Sequence, residues 1–333
     1  MINLRHALLL LAVTAIGCRK QKLVDVPDHF PELPVPKDNL ITKEKIELGR
    51  WLFYEKALSK DSSVSCASCH VQGFAFADGR KVSMGVHGVT GQRNAPALQN
   101  LAYYPTFFMD GGIPTLEMQV EAPLFADEEM GLSYFEASER LNSDTHYREM
   151  FQAAFSRDAD AYGISRSLAA FERTMISGHS KFDLYSNGLA TFSESEQRGM
   201  ELFYSSKAGC SDCHSGFLFT DFTMVNVGLY DSYSDTGYAR ITQKSADAGK
   251  FRVPSLRNIE LTAPYFHDGS VETLEDVVNH FAMGGKGNPI KDPRVRLLNL
   301  SDEEQVDLVE FLYTLTDWKF IENPRFSNPK LAD

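Results

Sequence analysis

Ser65-Cys66-Ala67-Ser68-Cys69-His70 and Gly209-Cys210-Ser211-Asp212-Cys213-His214 carry one arrangement, Cys-x-x-Cys-His, twice in a single chain. Two thiols three positions apart on one helical turn reach both vinyl groups of one porphyrin, and the imidazole next to them ligates the iron from one face. A redox Cys-x-x-Cys and a four-cysteine zinc site are the rival uses of such pairs. Both leave the two histidines unexplained. Cys66, Cys69, Cys210 and Cys213 therefore read as the attachment points of two covalently bound haem c groups, with His70 and His214 as proximal ligands.

The residues before each motif repeat as well. Glu47-Leu48-Gly49-Arg50-Trp51-Leu52-Phe53-Tyr54 and Gln197-Arg198-Gly199-Met200-Glu201-Leu202-Phe203-Tyr204 match at glycine, leucine, phenylalanine and tyrosine, with apolar residues at helical spacing. The pattern predicts a mainly α fold of two cytochrome c-like domains, 38–185 and 186–320, followed by a tail over 321–333. Further helices are predicted at about 115–122, 132–142, 145–155, 163–177, 272–282 and 301–316, the last opening on a Ser301-Asp302-Glu303-Glu304 capping box. The long Gly- and Pro-containing stretches 71–114 and 215–270 are expected to be irregular, with few short strands, as hairpins within 215–245. Loops of that length usually carry function or wrap a ligand.

Residues 1–17 pair Arg5 with the apolar run Ala7–Ile16, which has the length of an export signal. The sequence Ala15-Ile16-Gly17-Cys18 resembles a bacterial lipobox, which implies cleavage before Cys18 and a lipid on it. With four prolines between Asp25 and Lys37, residues 18–37 read as a tether. The 333 residues are 43% hydrophobic and 23% charged, with a formal charge of −12, or −13 without the signal, whose charged side chain is Arg5. That balance disfavours nucleic acid and suits a basic electron carrier. Beyond the N-terminus no stretch approaches the roughly 20 apolar residues of a membrane span. The expected place is the periplasm, with membrane contact only through the lipid on Cys18.

Over about residues 38–318 the chain resembles the bacterial dihaem cytochrome c peroxidases and the related MauG-type enzymes. The carriers are Leu48–Tyr54, Ser65–His70, Gly91-Gln92-Arg93-Asn94-Ala95-Pro96, Asp110-Gly111-Gly112, Glu129-Met130-Gly131, Cys210–His214, Lys250–Asn258 and Leu261-Thr262-Ala263-Pro264-Tyr265-Phe266-His267-Asp268-Gly269. The resemblance implies a peroxidatic N-terminal haem and a C-terminal haem that takes in electrons. His87 matches a histidine that occupies the open face of the peroxidatic iron at rest. Glu129 matches the acid–base glutamate and Gln119 the glutamine ten residues upstream, with Glu128 as the competing carboxylate. Asn94, Thr262 and Pro264 match a calcium site, so one calcium ion is implied beside the two haems. The resemblance also leaves room for a homodimer.

Two positions depart from the family pattern. Met109 stands where a tryptophan lies between the haems, and the chain's tryptophans are Trp51 and Trp318. Phe281 stands where peroxidases carry Met and MauG-type enzymes Tyr as the far-side ligand of the C-terminal haem; Met283, His280 or no residue can replace it, and a His/Met pair would raise the potential. The resemblance therefore implies one of two activities. The first is hydrogen peroxide reduction with electrons from a small cytochrome c or cupredoxin. The second is peroxide-dependent oxidation of a partner protein, toward which Asn226-Val227-Gly228-Leu229-Tyr230 and Ala248–Arg252 point.

Overall fold

In the computed structural model, residues 22–331 are described. The signal segment and Cys18 lie outside the described residues. Each domain is built on one helix crossing. In the first, Lys43–Phe53 starts at Thr42, whose hydroxyl accepts from the Lys45 amide, and buries Leu48, Gly49, Leu52 and Phe53. It crosses Ala161–Glu172, capped by Asp160. In the second, Glu194–Phe203 crosses Asp302–Tyr313, and both helices open on Ser/Glu capping boxes. The repeated glycine lies at the crossing: a Cβ on Gly49 would overlap the Ser167 carbonyl, and one on Gly199 the Asp307 carbonyl. Glycine lets the two backbones touch.

Two cores grow around these crossings. Phe53, Phe76, Phe151 and Phe171 sit in the first, and Phe203, Phe219, Phe311 and Leu315 in the second. Phe53 meets Phe171 at 5.5 Å and Phe203 meets Phe311 at 5.1 Å between ring centroids. Each such ring contributes about 1.5–3 kcal/mol on burial. The predicted helices appear as Tyr134–Ser143, Thr145–Phe155, Ala161–Glu172, Leu274–Ala282 and Asp302–Tyr313. The one expected at 115–122 divides into Leu116–Gln119 and Glu121–Phe125. Among the described residues the sheet is a single short pair, Met224–Val225 antiparallel to Phe251–Arg252, so the second strand lies beyond the expected 215–245.

A second internal repeat spans the loops. Asn100 and Asn258, Phe108 and Phe266, and Gly111 and Gly269 are each 158 positions apart, and all six adopt positive φ. Thr115 and Thr273 follow at the same interval, and each caps a helix with its hydroxyl. Asn100 takes its place by bonding Ser177, and Asn258 by accepting from the Asp317 amide.

Both ends of the described chain lie on the body. Over its described part the segment expected to be a tether is a strap: Phe30 is buried against Ile176 and Leu218, and Tyr103 donates to the Pro31 carbonyl. His29 reaches Asp183 at 3.1 Å. The expected tail returns to the first domain, where Phe320 and Phe326 join the core and Arg50 donates to the carbonyls of Ser327 and Pro324. Beneath the strap Arg257, 2% exposed, forks onto the Asp183 carboxylate at 2.8 and 2.9 Å, with its guanidinium under the Phe30 ring.

Candidate haem sites and active site

Cys66–Cys69 form a single helical turn, capped by Ser65, and His70 ends it. The chain then bends back, with Ala75 and Phe76 at positive φ, so that the Phe76 carbonyl meets His70 Nδ1 at 2.7 Å. The second motif repeats this geometry. Cys210–Asp212 form a 3₁₀ turn, and His214 Nδ1 meets the Phe219 carbonyl at 3.0 Å, with Phe219 at positive φ. A carbonyl can only accept, so Nδ1 carries the proton and Nε2 keeps its lone pair. Burial pushes both imidazoles below the usual histidine range and keeps them neutral. The four thiols are unbridged. Burial also raises them, to about 12 for Cys210 and about 11 for Cys213. Neutral thiols at this spacing beside a neutral imidazole with a free Nε2 are the donor set that a covalently attached haem requires.

Two of the residues picked out from the sequence, Glu129 and His87, lie on segments bonded to each other, and the charge of Glu129 is felt at the first motif. Glu129 is exposed, and partial withdrawal of its carboxyl from water, then the charge of Glu128, raises it from its ordinary value. Its charge acts on both Cys66 and Cys69, which puts it on the side of the first motif. The Glu129 carbonyl accepts from the Val86 amide at 2.8 Å, and a Cβ on Gly85 would overlap the Glu128 carbonyl. The loop carrying His87 is thus fastened to the turn carrying Glu129. His87 itself has φ +56°, is 64% exposed in its side chain, and faces Asp61, at 3.4 Å from Nδ1. Gln119 ends Leu116–Gln119 and is partly buried.

The chain belongs to the di-haem cytochrome c peroxidase family. The family described as di-haem cytochrome c peroxidase matches residues 43–191. Methylamine utilization protein MauG of Methylorubrum extorquens is 36% identical over 312 residues, 91% of this chain and 88% of that protein. Cytochrome-c peroxidase IdrP1 of a Pseudomonas species is 34% identical over 86% of this chain and 84% of its own. A solved MauG-like protein associated with microbial copper homeostasis superposes with a TM-score of 0.89 at 38% identity, over 92% of this chain and 99% of that one. Membership implies two haem c groups, and the two motifs provide for them.

The remaining residues are placed as follows. Met283 caps Leu274–Ala282 with its side chain 65% exposed, and His280 directs Nε2 at the Val227 carbonyl at 3.0 Å. Asn94 donates its side-chain amide to the Arg80 carbonyl, and its backbone amide donates to the His267 carbonyl. Glu172 went unnoticed in the sequence. It is 5% exposed, its Oε2 has no partner, and its charge acts on Cys66; burial pushes its carboxyl up to about 8. Only the crossing of the helices reveals it.

Proposed function

We propose that this chain reduces hydrogen peroxide to water at the first motif, using electrons that enter through the second from a small donor protein. When bound, the two haems supply irons that exchange electrons, one of them open to peroxide. The observation that supports the reading is the placement of Glu129, whose charge is felt at both thiols of the first motif and whose backbone holds the loop carrying His87. A carboxylate so placed takes a proton from the near oxygen of peroxide and returns it to the far one as the O–O bond breaks. Gln119 orients the peroxide. His87 closes or opens the approach, and because its loop hangs on the Glu129 turn, its position is coupled to that of the base.

Asn94 Oδ1 with the carbonyls of Thr262 and Pro264 is proposed to hold the calcium ion. The N-terminal signal and Cys18 support a lipid-anchored periplasmic protein. No helix among the described residues is long and apolar enough to cross a membrane.

Steady-state peroxide turnover with reduced cytochrome c or a cupredoxin tests the proposal. Turnover at rates well above the haem-free background is expected. The 38% identity and close superposition with a MauG-like protein favour a second reading, in which the reductant is a side chain of a partner protein. Under that reading small donors give no turnover, and a partner protein incubated with enzyme and peroxide changes mass.

A further inference from the structure

Around His267 the structure assembles an aromatic group that peroxide binding leaves unused. The His267 ring stacks on Phe251 at 3.9 Å and 16°. Tyr233 lies 6.0 Å and Tyr230 6.4 Å from His267, and the two tyrosines are 5.6 Å apart. The stack joins the supports of both proximal histidines. The His267 carbonyl accepts from Asn94, two residues before Pro96, whose backbone faces His70. Phe251 comes three residues before Pro254, whose backbone faces His214. At the other end Tyr230 is half-buried, and its hydroxyl donates to Asp268 Oδ2 at 2.5 Å.

We propose that Tyr230 is a redox-active tyrosine, the outer end of an aromatic path that runs through Tyr233 and the His267–Phe251 stack to the region between the two haem motifs. A phenol gives up an electron readily only when its proton has somewhere to go, and Asp268 is that acceptor. Phe251 and His267 provide contact rather than charge storage, because neither ring is easily oxidised. The path compensates for Met109, which stands where the family has its tryptophan and offers no aromatic ring. The inference rests on the peroxide-reducing reading and extends it to where electrons are withdrawn.

The step balances with hydrogen peroxide as oxidant, which takes two electrons and two protons to give two waters. Tyr230 supplies one electron while its O–H bond breaks and the proton moves to Asp268; the external donor supplies the other. A reductant at the surface then returns an electron to the phenoxyl radical, and the Asp268 proton goes back to the oxygen.

The holoprotein, given one reducing equivalent from the donor and then one equivalent of peroxide, is frozen for EPR and in parallel trapped with N-acetyltyramine for peptide mapping. A tyrosyl signal and an adduct on the Tyr230 peptide are expected, with none at Tyr147, whose carboxylate pair with Glu55 lies in the core. Y230F removes both, and D268N, which keeps a bonding partner but no base, weakens them. If peroxide is consumed but wild type gives no Tyr230 adduct, or Y230F keeps the same signal, the proposal fails while peroxide reduction stands. If no peroxide is consumed, both fall.

Discussion

The amide of Arg252 donates to the carbonyl of Met109 at 2.7 Å, and 158 positions apart in both partners the relationship is returned: the amide of Asn94 donates to the carbonyl of His267 at 2.9 Å. Each half of the chain thus offers the other the same backbone groups, as the two copies do in a two-fold dimer. The junction between the haem motifs is a symmetric interface made within one chain, and its side chains have diverged. Met109 occupies one of its two equivalent positions and the stacked His267 the other.

Glu129→Gln is expected to slow the reaction with peroxide by about 10²–10⁴-fold, the usual contribution of a positioned acid–base group. Stopped-flow absorbance at the Soret band gives the rate. An unchanged rate removes Glu129 from proton transfer and directs attention to Glu128.

Gly49→Ala is expected to cost about 1–3 kcal/mol or more, because the added methyl overlaps the Ser167 carbonyl and rigid backbones have to separate. Gly199→Ala should do the same in the second domain, against Asp307. Denaturant titration checks both, and a midpoint equal to wild type would show that the crossing yields easily.

Asp183→Asn leaves the Arg257 guanidinium buried without its counter-charge, and the expected loss is about 3–5 kcal/mol. Replacing Arg257 together with Asp183 by apolar residues of similar volume should recover much of it. A double variant as unstable as the single one would refute this account of the pair.

Glu172 makes stability fall as pH rises. Its folded-state carboxyl is lifted from the usual carboxylate range to about 8 by burial. Between those two values the native state holds a proton that the unfolded chain has released, so the folded form loses ground on going from acid to pH 8. At about 1.4 kcal/mol per unit the drop is on the order of a few kcal/mol. Glu172→Gln should flatten this part of the pH–stability curve measured by denaturation. A curve that keeps its slope would mean that Glu172 ionises normally.

Met283→Ala is expected to alter the absorption spectrum of the C-terminal haem, as loss of a thioether ligand does. An identical spectrum would transfer the far-side position to His280 or to no residue.

Much of this was legible in the chain because it repeats. Cys-x-x-Cys-His fixed both haem positions, and the shared Gly-x-x-Leu-Phe-Tyr announced the helix crossings, as both depend on local spacing. The second repeat was also visible, in Pro96–Asn100 against Pro254–Asn258 and in the two Asp-Gly turns, but its meaning lies in backbone conformation that no single residue type dictates. Other features could not be read. Phe30 has no periodic pattern around it, so a buried strap looked like a solvated tether. Glu172 becomes an acid without a partner only when a second helix closes over it. The Tyr230–Asp268 bond joins positions 38 apart that have no common motif.

The strap bears on how the molecule sits at a surface. Arg325 grips the Leu23 carbonyl and His29 reaches Asp183, so the described chain is fastened within a few residues of Cys18. Five residues span roughly 18 Å at full stretch. A lipid on Cys18 would therefore give a short leash. The face bearing Leu23 and Arg325 would be turned toward the bilayer, and visiting redox proteins would have to approach from the flanks or the opposite pole.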